Sequence, residues 1–315
     1  MSGQVIALSG GIGGAKLALG LDRVLAPGEL TIIANTGDDF RHLGLHISPD
    51  IDTLLYTLAG LDDPVKGWGR RDDTWTFMRA LAALGGEAWF QLGDGDLAIH
   101  VERTRRLAAG ETLSQVTQGL RRRLGIGARI VPMSDEPVAT RVHTDEGWLD
   151  FQHYFVRRRC EPRVIGLDFA GAGEARMAPE VAAAFADPAL RAVILCPSNP
   201  YLSVDPILAV PGMRAVLAGC AAPVIAVSPI IAGQAVKGPT AKMMAELGLE
   251  PSAETVARHY AGLIDAFVVD EADAGLKVAG MQIAATPTLM RSLDDKQRLA
   301  RFVLGLADGL AARLA

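Results

Sequence analysis

Short runs of β-branched and aliphatic residues recur along the chain: QVIAL from Gln4, TIIAN from Thr31, RVIGL from Arg163, AVILC from Ala192, PVIAV from Pro223 and AFVVD from Ala266. Each is bounded by Gly, Pro, Asn, Asp or Ser, and most are followed by an amphipathic or Ala-rich stretch. This alternation predicts an α/β fold, a Rossmann-like doubly wound and mostly parallel sheet with helical crossovers. From about residue 61 to 124 the period becomes helical only, through TWTFMRALAAL and a run opening Thr112-Leu113-Ser114-Gln115, which has capping-box spacing. That stretch reads as a helical insertion. RVHTDEGWLDFQHYFV, from Arg141, reads as a β-hairpin with Asp145-Glu146-Gly147 at its turn. No internal repeat or linker interrupts the pattern, so residues 1–315 are expected to form a single elaborated α/β domain.

Within Ile47–Gly60 the same pattern assigns faces. Ser48 is placed to cap a helix, Pro49 suits its first position, and Ile51, Leu54, Leu55 and Leu58 form an i, i+3, i+4, i+7 stripe. Asp50 and Thr53 then share the exposed face, while Asp52 lies roughly 200° from Asp50, so the two carboxylates cannot chelate one ion side by side on a regular helix. Asp50 is also the acid that a helix dipole favours in its first turn.

Composition narrows the class. Half the residues are hydrophobic, 21% are charged and only 5% are aromatic, which predicts an aliphatic core suited to buried parallel strands. A formal charge of −5 gives no attraction to nucleic acid or an anionic membrane, and neither partner is expected. The start MSGQVIALSGGIGG has no basic leader and too short an apolar run, so it is expected to be neither a signal peptide nor a membrane span. Cys160, Cys196 and Cys220 are far apart and odd in number, which predicts reduced thiols and a cytoplasmic protein.

In an open parallel sheet ligands bind beyond the carboxyl ends of the strands, and the loops there carry the candidate chemistry. Ser9-Gly10-Gly11-Ile12-Gly13-Gly14-Ala15-Lys16 joins the first strand to a helix, as a phosphate cradle would. It is not a Walker motif, because Leu17 follows Lys16, and it misses GxGxxG because position 16 is Lys. Asn35-Thr36-Gly37-Asp38-Asp39 ends the second strand. Adjacent carboxylates there call either for a hard cation such as Mg²⁺ or for solvation in a capping turn. Pro197-Ser198-Asn199-Pro200 suits a rigid recognition edge or a plain turn, and the loop from Ser228 and Pro229 through Gly233 to Lys237 suits a lid over an anion. His100 is the one histidine retained as a candidate. Arg121–Arg123 and Arg157–Arg159 read as solvated faces, and Trp68 and Trp75 as ring-stacking or core residues.

GGIGGAK, NTGDD, SPDIDTLLYTLAG, GWGRRDDTW, LGDGDLAIH, the PSNP loop and SPIIAGQAVKGP occur in this order over essentially the whole chain. Together they closely resemble the 2-phospho-L-lactate transferase (CofD-like) family of deazaflavin coenzyme F(420) biosynthesis. The resemblance implies a donor that is the guanosine diphosphate ester of 2-phospholactate, phosphoenolpyruvate or phosphoglycerate, an acceptor that is the ribityl hydroxyl of the deazaflavin Fo, release of GMP, and a homodimer. It implies that Gly10, Gly11, Gly13, Gly14, Lys16, Asn199, Ser228, Pro229, Gly233 and Lys237 hold the guanosine diphosphate portion. Asp38, Asp39 and Asp52 would bind Mg²⁺, Asp50 and Thr53 would lie by the deazaflavin, and Asp50 and Asp38 would lead the catalysis. Two other readings remain: a dinucleotide-dependent oxidoreductase, disfavoured by the missing third glycine, and a non-catalytic nucleotide-binding relative.

Overall fold

The structure, a computed structural model, describes residues 3–235 and 238–314. β1 (Gln4–Ser9) leads into α1 (Gly11–Val24), β2 (Leu30–Ala34) and a small hairpin of β3 (Phe40–His42) and β4 (Leu45–Ile47), followed by α2 (Pro49–Ala59). The helical insertion holds α3 (Thr76–Ala83), α4 (Asp94–Ala108) and α5 (Leu113–Arg123), with residues 61–75 mostly irregular. β5 (Arg129–Pro132) returns to the sheet before β6 (Ala139–Thr144), β7 (Gly147–Asp150), a π-helical turn at His153–Arg157 and β8 (Val164–Ala170). Then come α6 (Pro179–Phe185), β9 (Leu190–Leu195), a π-helical segment at Pro200–Val204, α7 (Asp205–Ala209), α8 (Met213–Ala218) and β10 (Val224–Val227). The chain closes through the two-residue strands β11 (Ile230–Ile231) and β12 (Gln234–Ala235), α9 (Thr240–Glu246), α10 (Ala253–His259), β13 (Ala266–Val269), β14 (Gln282–Ala285) and α11 (Leu293–Leu314).

The main sheet has seven parallel strands in the order β14-β13-β10-β9-β1-β2-β5. This is the Rossmann-like doubly wound arrangement that the apolar runs predict. RVIGL is the exception: as β8 it pairs antiparallel with β6, so the hairpin becomes a three-stranded sheet β7-β6-β8. Its alternation is half-exposed, and a strand with one wet face has no place inside a parallel sheet covered on both sides. The capping box forms as its spacing predicts, with the Thr112 hydroxyl accepting from the Gln115 amide at 3.2 Å and the Gln115 side chain accepting from the Thr112 amide at 2.9 Å.

Period-2 alternation divides the core in two. Val5, Ala7, Ile32, Ala34, Ile194 and Val268 face α1, α2, α5 and α11, whereas Ile6, Leu8, Ile33, Val193, Leu195 and Phe267 face the other side. Each fully buried Val, Leu, Ile or Phe among them stabilises the fold by about 1.5–3 kcal/mol. No helix among the described residues is long and apolar enough to cross a membrane.

Candidate functional site

The chain turns from one half of the sheet to the other between the parallel neighbours β1 and β9, whose following connections run in opposite directions across the sheet and leave a crevice at the switch point. Here the two loops are the glycine run after β1 and Pro197-Ser198 after β9. They are stitched together: the Gly10 amide donates to Ser198 Oγ at 3.2 Å, and that hydroxyl donates back to the Gly10 carbonyl at 2.8 Å. A Cβ on Gly13 would lie 2.3 Å from the Pro197 carbonyl oxygen, and one on Gly14 would lie 2.4 Å from Ser9 Oγ and 2.6 Å from Ser198 Oγ. These two glycines therefore permit close passage of protein against protein. Gly11, at φ 65°, is the position where the turn itself demands glycine. Its amide opens the helix, and the first-turn N–H groups beside it have no intrahelical acceptor.

Three carboxylates gather at this edge. Asp50, in the first turn of α2, accepts from the Gly11 amide at 2.6 Å and from Asn35 Nδ2 at 2.9 Å, and is 6% exposed. Burial raises its pKa to about 6 against the pull of those two donors, with the Asp39 charge adding to the rise. Asp38 is 7% exposed, its Oδ1 is buried with no partner, and burial together with the Asp50, Asp39 and Asp52 charges holds its pKa well above the ordinary range. Asp39 accepts from Ser48 Oγ at 2.6 Å and faces His46 Nε2 at 3.1 Å; its Oδ1 is likewise unpartnered, and burial raises its pKa. The hydroxyls of Ser9, Thr36 and Thr140 are also buried without partners. Thr140 Oγ1 and Asn35 Oδ1 both crowd Gly37 in the turn that carries the acids.

Unpaired buried carboxylate oxygens are costly, and a hard divalent cation is the group that this donor chemistry fits. Among the described residues no three His, Cys, Asp or Glu side chains already converge on a point as a metal cage. A magnesium-type ion needs no such cage: one or two carboxylates with phosphate oxygens and water complete its shell.

The faces of α2 differ from expectation. Ile51, Leu54, Leu55 and Leu58 are buried and Pro49 begins the helix, as the stripe predicts. Asp50, placed on the exposed face by its spacing, is buried instead, because that face packs against the glycine run and Asn35. Ser48 sits at the cap position but spends its hydroxyl on Asp39. Asp52 points elsewhere: Arg103, fully buried on α4, grips both its oxygens, with Nη1 to Oδ2 at 3.1 Å and Nη2 on Oδ1. An acid so neutralised is withdrawn from the Asp38–Asp39–Asp50 group. His100 lies beside the pair, 3.6 Å from Asp52 and 3.1 Å from Asp96, and Asp96 also accepts from the Tyr56 hydroxyl.

The remaining candidates divide by place. Lys16 reaches the Met290 carbonyl at 3.2 Å and, with Ile12, Thr53, Tyr56, Trp68, Arg291 and Lys296, lines a cavity of about 140 Å³ between the first turns of α1 and α2 and the start of the insertion. Trp68 is 48% exposed and meets Trp75 edge-on at 6.2 Å, so it is no core residue. Asn199 is internally committed: its carbonyl oxygen caps Tyr201 and Leu202, and its amide donates to Thr240. Ser228 is closed on Ile230 in the same way. Pro229 follows Ser228 at the head of the short β11–β12 hairpin, whose tip holds the exposed Gly233 at φ 74°. Lys237 lies outside the described residues. Arg121 ties down the end of α5 through the Ile126 carbonyl. All three cysteines are free thiols.

Over residues 5–296 the chain matches the family described as 2-phospho-L-lactate transferase CofD. The chain belongs to that family. It is 42% identical over 315 residues to a phosphoenolpyruvate transferase of Streptomyces avermitilis, covering 97% of this chain and 98% of that one. It is 41% identical over 309 residues to a 2-phospho-L-lactate transferase of Methanosarcina acetivorans, covering 96% and 99%. Among solved structures, a upf0052 family member from Bacillus halodurans superposes with a TM-score of 0.62 over 96% of this chain and 99% of that one at 13% identity, a likeness of fold. The protein is thus an enzyme of a transferase family. Sequence reasoning gave Ser48 only the role of a helix cap, gave Asn35 no role of its own, and gave none to His46 or Arg103. Asn35 stood inside a quoted motif at the end of a strand, and that position was its signal; Arg103 carried none.

Proposed function

We propose that the enzyme transfers a phosphorylated three-carbon acid from its guanosine diphosphate ester to the ribityl hydroxyl of the deazaflavin Fo in coenzyme F(420) biosynthesis, with Mg²⁺ held by Asp38 and Asp39. The observation that carries this is the group of buried, partly unpartnered carboxylates beside the N-terminus of α1 at the sheet's switch point. The family match over nearly the whole chain supports the reaction class. Relatives named for phosphoenolpyruvate and for 2-phospho-L-lactate are about equally similar, so both acids stand as donor moieties.

In this reaction the acceptor hydroxyl attacks the phosphorus that bears the three-carbon acid. A new P–O bond forms, the bond to GMP breaks, and GMP leaves as a phosphate anion that needs little acid assistance. The bound cation would neutralise phosphate charge and so admit an anionic donor to an acidic crevice. Asp50 takes the hydroxyl proton: with a pKa raised to about 6 it is ionised at neutral pH yet more basic than an ordinary carboxylate. Asn35 fixes its orientation. The free first-turn amides of α1 receive the diphosphate, and the cavity lined by Thr53 and Trp68 receives the acceptor ring. The test is incubation of the purified protein with Fo, Mg²⁺ and each guanosine-linked donor in turn. Product of the mass of the corresponding F(420)-0 form, together with GMP, supports the reading, and unchanged Fo with every donor refutes it.

A further inference from the structure

We infer that Arg103 is a positioning residue for the cation site: by gripping Asp52 on α2 and the His46 carbonyl on β4, it holds in register α2, which presents Asp50, and the strand whose His46 contacts Asp39. The inference rests on the reading of Asp38 and Asp39 as the cation site, with Asp50 beside it.

Arg103 comes from the middle of α4, in the helical insertion, and is 0% exposed. A guanidinium removed from water needs acceptors, and its planar fork suits two at once; here both terminal nitrogens are met, while Nε is buried without a partner. One face of the fork takes both Asp52 oxygens. Nη1 also reaches the His46 carbonyl at 3.4 Å and His100 Nδ1 at 3.4 Å. The residue next to it, Thr104, accepts from the His46 amide at 2.8 Å, so α4 holds His46 on both sides of its backbone.

Both tethers lead to the acids in one further step. His46 presents Nε2 to Asp39 at 3.1 Å. Asp52 stands two residues from Asp50 in the first turn of α2, and its amide donates to the Ser48 carbonyl at 2.9 Å; Ser48 in turn holds Asp39 through its hydroxyl at 2.6 Å. Displacing the guanidinium would therefore loosen His46, Ser48 and the start of α2 together. Asp52 serves as the anchor for Arg103, which gives the second acid of SPDIDT a role apart from the cation.

The test uses Mn²⁺ as the probe, with binding followed by electron paramagnetic resonance, beside thermal unfolding, calorimetric guanosine diphosphate binding and steady-state kinetics. The full-length wild type is compared with Arg103→Lys and with the double variant Arg103→Met/Asp52→Asn, which removes both charges so that neither is left buried alone. We expect Mn²⁺ affinity to fall up to about 10-fold in the double variant, the low end of the loss for a direct partner of a metal ligand, because Arg103 acts on Asp39 through His46 and Ser48. Metal-free guanosine diphosphate affinity should stay within about twofold, and kcat should fall more than donor KM rises. Arg103→Lys keeps the charge but not the fork, and should recover Mn²⁺ affinity in part. A lowered Tm with unchanged Mn²⁺ affinity in both variants would overturn the inference, as would failure of both to fold, since Arg103 would then be only a brace. If the wild type itself binds no Mn²⁺, the cation-site reading fails and the inference falls with it; wild-type binding matched by both variants sinks the positioning role alone.

Discussion

The Asp50 carboxylate closes the start of α1 by accepting the Gly11 amide hydrogen bond at 2.6 Å, across 39 residues of sequence. One residue thereby joins the acidic loops to the helix N-terminus that is proposed to receive phosphate. Asp50→Asn can keep an acceptor oxygen on Gly11 while losing the charge and the basicity. It should lower turnover by about 10²–10³-fold, the scale of losing one preorganised charge at a reacting centre. Donor affinity should change little. Measured kcat and donor KM decide it: wild-type turnover in Asp50→Asn would leave Asp50 as a helix cap only.

Asp38 is held among like charges with an unpartnered oxygen, so the metal-free protein carries a penalty there. Asp38→Asn should raise metal-free stability, since it removes a buried carboxylate that desolvation and the neighbouring acids disfavour in its charged form. The same variant should require more Mg²⁺ for turnover. Tm measured with and without Mg²⁺ checks both halves: the variant should melt higher than wild type in chelator and gain less when Mg²⁺ is added.

Gly13 faces the Pro197 carbonyl oxygen at a distance that admits no side chain. Gly13→Ala should cost about 1–3 kcal/mol through overpacking, because backbone is what it meets. Reduced donor binding would follow from displacement of α1 and would not by itself demonstrate contact between Gly13 and phosphate. Denaturant unfolding of the ligand-free protein separates the two, and unchanged stability would contradict the close passage.

Much of this fold could be read from the chain because parallel strands buried on both faces leave continuous aliphatic runs, as in QVIAL and AVILC. RVIGL was assigned to the wrong sheet because composition marks a strand but not its partner. The acids were legible as chemistry; their surroundings were not. The α2 stripe correctly separated Asp50 from Asp52, yet a helical wheel shows only one packing face and could not reveal that Asp50 packs on the glycine run. Arg103 was invisible because its partners, Asp52 and His46, lie more than fifty residues away. The glycines signalled a tight strand-to-helix passage, but sequence could not say that for Gly13 and Gly14 the neighbour is protein.

Asp50 also sets a pH dependence. Its folded-state pKa of about 6 lies above the ordinary aspartate value of 3.8, so protonation favours the folded state. This contribution is fully present below the ordinary value and is lost as pH rises through about 6, up to about 3 kcal/mol in all. Metal-free Tm should therefore include a component that declines between pH 4 and about 6, and Mg²⁺ should raise Tm more at pH 7.5 than at pH 5. The decline should be smaller in Asp50→Asn, where only Asp38 and Asp39 still contribute, and a Tm difference between wild type and variant that does not vary with pH would remove the basis for assigning Asp50 as the proton acceptor.

The central claim is that the acidic crevice at the switch between β1 and β9 is a cation-assisted nucleotide site. The most direct measurement is a crystal structure with guanosine diphosphate and Mn²⁺, read by anomalous scattering. The account predicts one manganese peak within bonding distance of carboxylate oxygens of Asp38 or Asp39, with the diphosphate against the first turn of α1. A nucleotide on the opposite edge of the sheet, or manganese bound away from these carboxylates, would contradict it.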